Sequence, residues 1–362
     1  MPAARKPITI LDVAREAGVS TKTVSRVINN DGYVSTEKRE RVQIAIDRLD
    51  YRPNRAARNL ASNRSAVIGL TVPDVRNPYF PQVVRGVENA ALKRGYNVML
   101  FNTESEIELE REAFRLLEEH RVDGAIVYLP YTPRDELEVV LSRHKASVVV
   151  DSYPVGKGIG NIRVDFYDAA IQAVHHLVSI GRRTIAYVGP VNPYYTFQER
   201  YRGIVAGLKA EGIPFRPELI LELQRITIDD TAESAEAWLT SHREIDDTAE
   251  KARTLLASHP EIDGVICFND MMALGTMRAC DDLGIAIPDQ IALMGIDDIP
   301  FAGLSRISLT TMRVPKFEIG VKSVEMLLDR LNGITEPVEY ILKTELVQRS
   351  TTLIGQVNGV KR

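Results

Sequence analysis

An α/β protein is predicted, in which a small all-helical head precedes a larger body of two doubly wound parallel-sheet subdomains. Three observations predict it. Thr9 to Asn29 reads as two short helices about a tight turn. From Val67 onward, short apolar runs alternate with amphipathic stretches, the pattern of parallel strands covered on both faces by helices. Charge divides at the same place. The net charge of the 362-residue chain is −4, yet residues 1–64 carry 13 Lys/Arg against 7 Asp/Glu, leaving −10 on the remainder. A basic head on an acidic body suits a nucleic-acid-binding module joined to a separate domain.

The head is read in order. Thr9 caps a first helix, with Asp12 at its acidic third position and Val13, Ala14 and Ala17 toward the core. Gly18 ends it, because a residue without a Cβ adopts the left-handed conformation cheaply. Ser20 caps a second helix, Thr21 to Asn29, with Val24, Val27 and Ile28 on its buried side. Thr21, Lys22, Ser25 and Arg26 fall on the other side. This is a helix-turn-helix pattern, whose second helix presents its N-terminal residues to base edges in the major groove. After the turn cluster at 29–33, Ser35 caps a third helix, Thr36 to about Leu49, with Val42, Ile46 and Leu49 inward. Pro53 disfavours helix at Arg52 and closes the head.

Residues 54–64, N-R-A-A-R-N-L-A-S-N-R, hold good helix formers, three arginines and one prominent apolar side chain, Leu60. So short a helix is unstable alone in water. Paired with a second copy over DNA it would place Leu60 against the minor groove, where an apolar wedge parts a base step. A solvated linker has the same composition.

The run D-V-A-R-E-A-G-V-S-T-K-T-V-S-R-V-I-N, then V-S, then Y-R-P-N-R-A-A-R-N-L-A, resembles the head and hinge of the lactose-repressor (LacI/GalR) family of bacterial transcription regulators. The likeness continues at P-D-V-R-N-P-Y-F (73–80), G-R-R-T-I-A-Y-V-G-P (181–190), F-N-D-M-M-A-L-G (268–275) and G-I-D-D (295–298). It implies that Thr21, Lys22 and Arg26 read bases, with Ser20, Thr23, Asn29 and Tyr33 near phosphates. Thr9, Ser25 and Asn54 complete the DNA-contacting set, and Ala57 and Leu60 enter the minor groove. It further implies a periplasmic-binding-protein-like body hinged by three crossings, placed near 162–164, 311–314 and 340. The expected domains are a head at 1–53, a hinge helix at 54–65 and an effector-binding, dimerising body at 66–357. Within the body, one subdomain takes about 66–163 and 314–340, and the other about 164–311 and 341–357.

Body strands are expected at 67–72, 97–101, 124–129, 147–151, 184–189, 264–268 and 291–296. Ligands of such sheets bind at the carboxyl ends of strands. Asn77, Tyr79 and Phe80 follow the first strand, Tyr128 closes the third, and Asp151 ends the fourth. Asn269 and Asp270 end a later one, and Asp297 follows Gly295. Arg202 matches a family position that contacts the effector. Carboxylates and an arginine beside aromatic rings suit a sugar, since such groups need a polar ligand or water when buried. Tyr79 and Phe80 read equally as core, and Asp270 as a helix cap.

Two departures from the family pattern stand out. Val314 lies where relatives often carry a polar side chain. I-D-D-T-A-E occurs at 228–233 and again at 245–250, and reads as one helix copied beside itself. The copies share trailing elements, Leu239-Thr240-Ser241-His242 against Leu256-Ala257-Ser258-His259, so Trp238 lies inside the first; neither copy has at the family offset the aromatic that often touches the effector in relatives.

Other classes lack support. Two cysteines, Cys267 and Cys280, give no disulfide framework, and no apolar leader or membrane-length run appears, so a cytoplasmic protein is expected. G-K-G-I-G at 156–160 is not G-x-G-x-x-G, and neither a Walker pattern nor G-x-S-x-G occurs. Adjacent His175 and His176 do not share a helical face as metal ligands would. No enzyme, cofactor or metal is expected. A homodimeric repressor on a palindromic operator, released by a sugar-like inducer, is. The alternatives are a purine-like corepressor and, more remotely, a sugar-binding transport protein. No apolar heptad tail follows Q-R-S-T-T-L, so a dimer is expected rather than a tetramer.

Overall fold

The computed structural model describes residues 8–29, 31–51, 65–129, 131–191, 194–223, 243–336 and 338–353. The chain divides into two compact units between Ser65 and Ala66.

The head holds α1 (Ile10–Ala17), α2 (Thr21–Asn29) and α3 (Thr36–Leu49). Val13, Ala14, Ala17, Val24, Val27, Val42 and Ala45 form its core, with Ile28, Ile46 and Leu49 at the margin. The Asp12 carboxylate accepts from the Thr9 backbone N–H at 2.9 Å and hydroxyl at 2.7 Å, anchoring the start of α1. Gly18 takes φ 61° and ψ 39°. A Cβ there would stand 2.4 Å from an Arg41 guanidinium nitrogen, which donates to the Ala17 carbonyl at 2.6 Å. Ser35 occupies the cap position of α3, but its hydroxyl makes no capping bond. Its backbone carbonyl alone opens the helix, accepting from Arg39 N–H at 3.0 Å.

The body contains two six-stranded sheets. Strands β1 (Val67–Val72), β2 (Asn97–Asn102), β3 (Gly124–Tyr128), β4 (Ser147–Val150) and β5 (Gly160–Val164) alternate with α4 (Phe80–Leu92), α5 (Ile107–Glu119) and α6 (Arg134–Ser142). After β5 come α7 (Phe166–Ser179), β6 (Ile185–Gly189), α8 (Tyr195–Ala210), β7 (Ile220–Glu222), α9 (Arg243–Ser258), β8 (Gly264–Cys267), α10 (Asp270–Leu283), β9 (Ala292–Asp297) and β10 (Thr310–Arg313). The chain closes with α11 (Lys316–Leu331), β11 (Glu339–Leu342) and β12 (Glu345–Val347). The sheet orders are β11-β5-β4-β3-β1-β2 and β12-β10-β9-β8-β6-β7. Every pairing is parallel except β10 with β12.

The sheets account for the unbroken apolar runs. In the first, Ile68, Leu70 and Ile126 face one core while Ala125, Val127 and Val149 face another. In the second, Met294 and Ile296 oppose Val265, Cys267 and Leu293. Alternate residues point to opposite faces, and helices cover both. The chain passes between the sheets after Val164, Arg313 and Leu342, each within four residues of its expected crossing. Strands β5, β7, β10, β11 and β12, three to five residues long, were not expected. Their short runs mix polar with apolar residues and carry no period. Among the described residues, no helix is long and apolar enough to cross a membrane.

Helices α4 and α11 approach with backbone against backbone. A Cβ on Gly86 would lie 2.2 Å from the Phe317 carbonyl oxygen, and one on Gly320 would lie 2.3 Å from that of Val83. Neither neighbour can rotate away. Gly320→Ala is therefore expected to destabilise the body by about 1–3 kcal/mol. Urea denaturation checks this, and an unchanged midpoint contradicts the packing.

Candidate functional site

The head offers one polar face. Ser20 Oγ accepts the Thr23 backbone N–H at 3.2 Å and sits 3.0 Å from the Thr23 hydroxyl, fixing the first turn of α2. Thr21 and Ser25 are half-buried beside it, whereas Lys22 and Arg26 are exposed. Among the described residues neither cation forms an ion pair; within the head Arg15 pairs with Asp12 and Arg48 with Glu16. Tyr33 is 91% exposed. Asn29 ends α2. Asn54, Ala57 and Leu60 lie outside the described residues.

In the body, expected ligand residues of the first sheet meet through hydrogen bonds. Tyr79 and Tyr128 hydroxyls are 2.7 Å apart, and Tyr128 donates to Asp151 Oδ2 at 2.7 Å. Val164 N–H donates to Asp151 Oδ1 at 3.0 Å. Phe80 packs edge-on against both tyrosines, at centroid separations of 5.2 and 5.5 Å. Burial pushes the Asp151 carboxyl up to about 6, against the pull of its bonds to Tyr128 and Val164. Asn77 does a different job: its Oδ1 accepts from Tyr79 N–H at 3.0 Å and shapes the turn into α4.

The second sheet supplies Arg200, not Arg202. Arg200 is 4% exposed, and its guanidinium lies between the Phe166 and Phe268 rings, 4.1 and 4.2 Å from their centroids. It donates to the Phe268 carbonyl and, at 3.4 Å, to Asp297 Oδ1. Arg202 points away, exposed and paired with Glu199 at 2.7 Å. Residues two apart stand about 200° apart around a helix, so only one can face the core. Gly203 and Gly207 mark the buried face of α8, pressed on α7, and Arg200 shares it at helical spacing. That signal was present in the sequence.

Asn269 caps α10 and also reaches across to α9. Its Oδ1 accepts from Met272 N–H at 2.8 Å, and its Nδ2 donates to Glu244 at 2.7 Å. Asp270 is not the cap. It is fully buried, accepting from Thr311 Oγ1 at 2.6 Å and Ile299 N–H at 2.8 Å, in space that Gly295 leaves open. Glu244 lies in the first turn of α9, just before the second I-D-D-T-A-E copy, whereas the first copy and Trp238 lie outside the described residues. Val314 is buried beside the second crossing.

The two halves face one another. Burial raises the Tyr79 phenol well above its usual range; Asp151 and then Asp297 push it further, and Arg200 pulls it back. Tyr131, beyond β3, meets Tyr194, ahead of α8, with ring centroids 4.8 Å apart. Neither ring was singled out from the sequence, since each lies in a loop without period.

Asp297 is 4% exposed, and burial pushes its carboxyl up to about 8. An acid held neutral by the fold binds its proton more tightly folded than unfolded, so stability is lost as pH rises through the folded value. Asp151 and Asp270, each near 6, complete their loss earlier. Stability of the ligand-free protein is expected to fall between about pH 7 and 8.5, and Asp297→Asn to remove most of that fall. Urea midpoints across this window check the sign; a rise with pH contradicts it.

Comparison with known proteins agrees with both units. Residues 9–54 match the family model described as bacterial regulatory proteins, lacI family, and residues 174–352 match the periplasmic binding protein-like domain. The chain is 34% identical to a ribose operon repressor of Halalkalibacterium halodurans over 354 residues, covering 96% of this chain and 98% of the relative. It is 33% identical to the HTH-type transcriptional repressor PurR of Vibrio vulnificus, covering 95% and 98%. Among solved structures, the lac repressor dimer bound to operator and the anti-inducer ONPF superposes with a TM-score of 0.80 at 29% identity, covering 96% and 100%. A complex of the transcriptional regulator CelR with cellobiose gives 0.67 at 27%, covering 95% and 99%.

Proposed function

The chain belongs to the lacI family of bacterial regulatory proteins and is a DNA-binding transcription regulator, and from that premise we propose a homodimeric repressor of carbohydrate-catabolism genes that a small sugar releases from a palindromic operator. A helix-turn-helix with Lys22 and Arg26 exposed on α2, in the same chain as buried Asp151, Arg200 and Asp297 near the carboxyl ends of strands in two sheets, carries this function. The polar groups suit hydroxyls and the rings suit a sugar's C–H face. Likeness to a ribose operon repressor and to a regulator solved with cellobiose supports the sugar. The protein acts by binding in the cytoplasm and not by catalysis.

Two heads read the halves of the operator, and protein symmetry sets half-site spacing. The exposed face of α4 and edge strand β2 supports pairing of two copies. Leu92 is 73% exposed there, beside a surface cavity of about 450 Å³ lined by Arg85, Glu88, Asn89, Tyr96, Asn97 and Val98. Residues 54–65, of which 54–64 lie outside the described residues, are proposed as the hinge that links the state of the body to the grip of the head on DNA.

Footprinting on the native genome tests the operator: a protected inverted repeat is expected, and none anywhere defeats the proposal. Lys22→Ala is expected to shift base preference by about 1–3 kcal/mol at one position per half-site. Equal weakening on every operator variant would remove its base-reading role. A thermal-shift screen of sugars and nucleobases tests the effector. Sugars are expected to stabilise the protein and weaken operator binding; a nucleobase that strengthens binding gives the corepressor instead.

A further inference from the structure

Lys316 is the first residue of α11 and is 3% exposed, yet among the described residues no carboxylate pairs with it directly, although Asp297, Asp270 and Asp298 lie near enough to attract its charge. Its ammonium donates to three main-chain carbonyls: Asp297, Asp298 at 3.0 Å and Val314 at 3.3 Å. It also lies 5.7 Å from the centroid of the Tyr79 ring. Burying a cation without a direct ion pair is costly, so packing alone does not account for a lysine here.

Its position bridges the two halves of the body. Helix α11 packs on α4, over the first sheet, whereas two of the carbonyls, Asp297 and Asp298, belong to the end of β9 and the loop after it, on the second, and the third, Val314, follows β10. That loop is strained. Asp297 has φ 145° and Asp298 φ 57°, both in the region that residues with a Cβ avoid. The Asp298 carboxylate is clamped by Arg313 at 2.7 Å and Arg349 at 2.6 Å, and Val314 N–H donates to the Asp297 carbonyl at 3.2 Å. With its neighbours fixed, a pull on the Asp297 side chain turns the two peptide carbonyls that Lys316 holds. Helix α11 then meets α4 through Gly86 and Gly320, where no side chain cushions the contact. The opposite side of α4 carries exposed Leu92.

We propose that Lys316 is a positioning residue that transmits the state of Asp297 to α11 and, through the glycine contact, to α4. It does not touch the effector. The inference rests on Asp297 belonging to the effector cleft, but its test needs no effector, so the two stand or fall separately.

The experiment is a double-mutant cycle on the full-length protein, read by amide hydrogen exchange over residues 80–92. Asp297→Asn is expected to change exchange there by about 3-fold or more in the parent, and by less than about 1.5-fold when Lys316→Met is present. Lys316→Arg, which keeps the cation, is expected to restore most of the response. Should Lys316→Met not fold, Lys316→Gln takes its place, keeping one donor while removing the charge. Exchange in 80–92 that ignores Asp297→Asn, or responds equally with and without the lysine, overturns the proposal. Loss of the response with both methionine and arginine, at unchanged melting temperature, overturns the role assigned to the charge.

Discussion

Operator affinity of the full-length protein is expected to fall about 10³–10⁵-fold between about 50 and 200 mM salt. Each phosphate neutralised by a lysine or arginine releases condensed counterions, so the slope of log affinity against log salt reports the number of such contacts. Residues 1–64 carry 13 cationic side chains per chain, and the proposed dimer doubles that number. Among the described residues, Lys22 and Arg26 have no ion pair to break. Six to ten contacts per dimer is the regime of this steep dependence. Anisotropy titrations on a labelled operator measure it. A slope near zero would mean that the cationic face does not meet the backbone, whatever the helices do in the groove.

The second large effect concerns the body. Arg200→Leu is expected to abolish release by the effector and to destabilise the body by about 3–5 kcal/mol at alkaline pH, because it strips a buried carboxylate of its partner. The arginine is held by two rings, a carbonyl and Asp297, and the leucine replaces none of the polar contacts. The deficit widens above about pH 8. With Arg200 present, Asp297 ionises near that value and its cost stops growing; without it, the folded state keeps the proton further and continues to lose stability. Arg202→Leu is the control. Its ion pair with Glu199 is exposed, and such pairs contribute about 0–1 kcal/mol. Equal losses from the two substitutions would show that the guanidinium between the rings is ordinary packing.

Much of this was legible in the residues. The caps, Gly18 and the apolar spacing placed α1, α2 and α3, since each rests on contacts within a few positions along the chain. Runs such as V-I-G-L-T-V placed the central strands, because a strand buried on both faces is apolar throughout. Tyr79, Tyr128 and Asp151 were named from their positions at strand ends, and the structure joins them in one hydrogen-bonded line. Arg202 was named from resemblance alone; the glycines that face α7 select Arg200 two positions earlier. Asp270 read as a cap, but Asn269 supplies the capping oxygen.

By itself the sequence determined the helix-turn-helix, the charge division and the two-sheet body, because these follow from periodicity, caps and composition within short stretches. Only the tertiary structure decided which arginine faces Asp297, that Lys316 is buried on carbonyls, and that α4 and α11 touch through Gly86 and Gly320. Arg200 and Asp297 stand 97 positions apart, and Lys316 lies 19 beyond Asp297. No local pattern can fix such partners, because crossings between sheets, and not neighbouring residues, bring them within bonding distance.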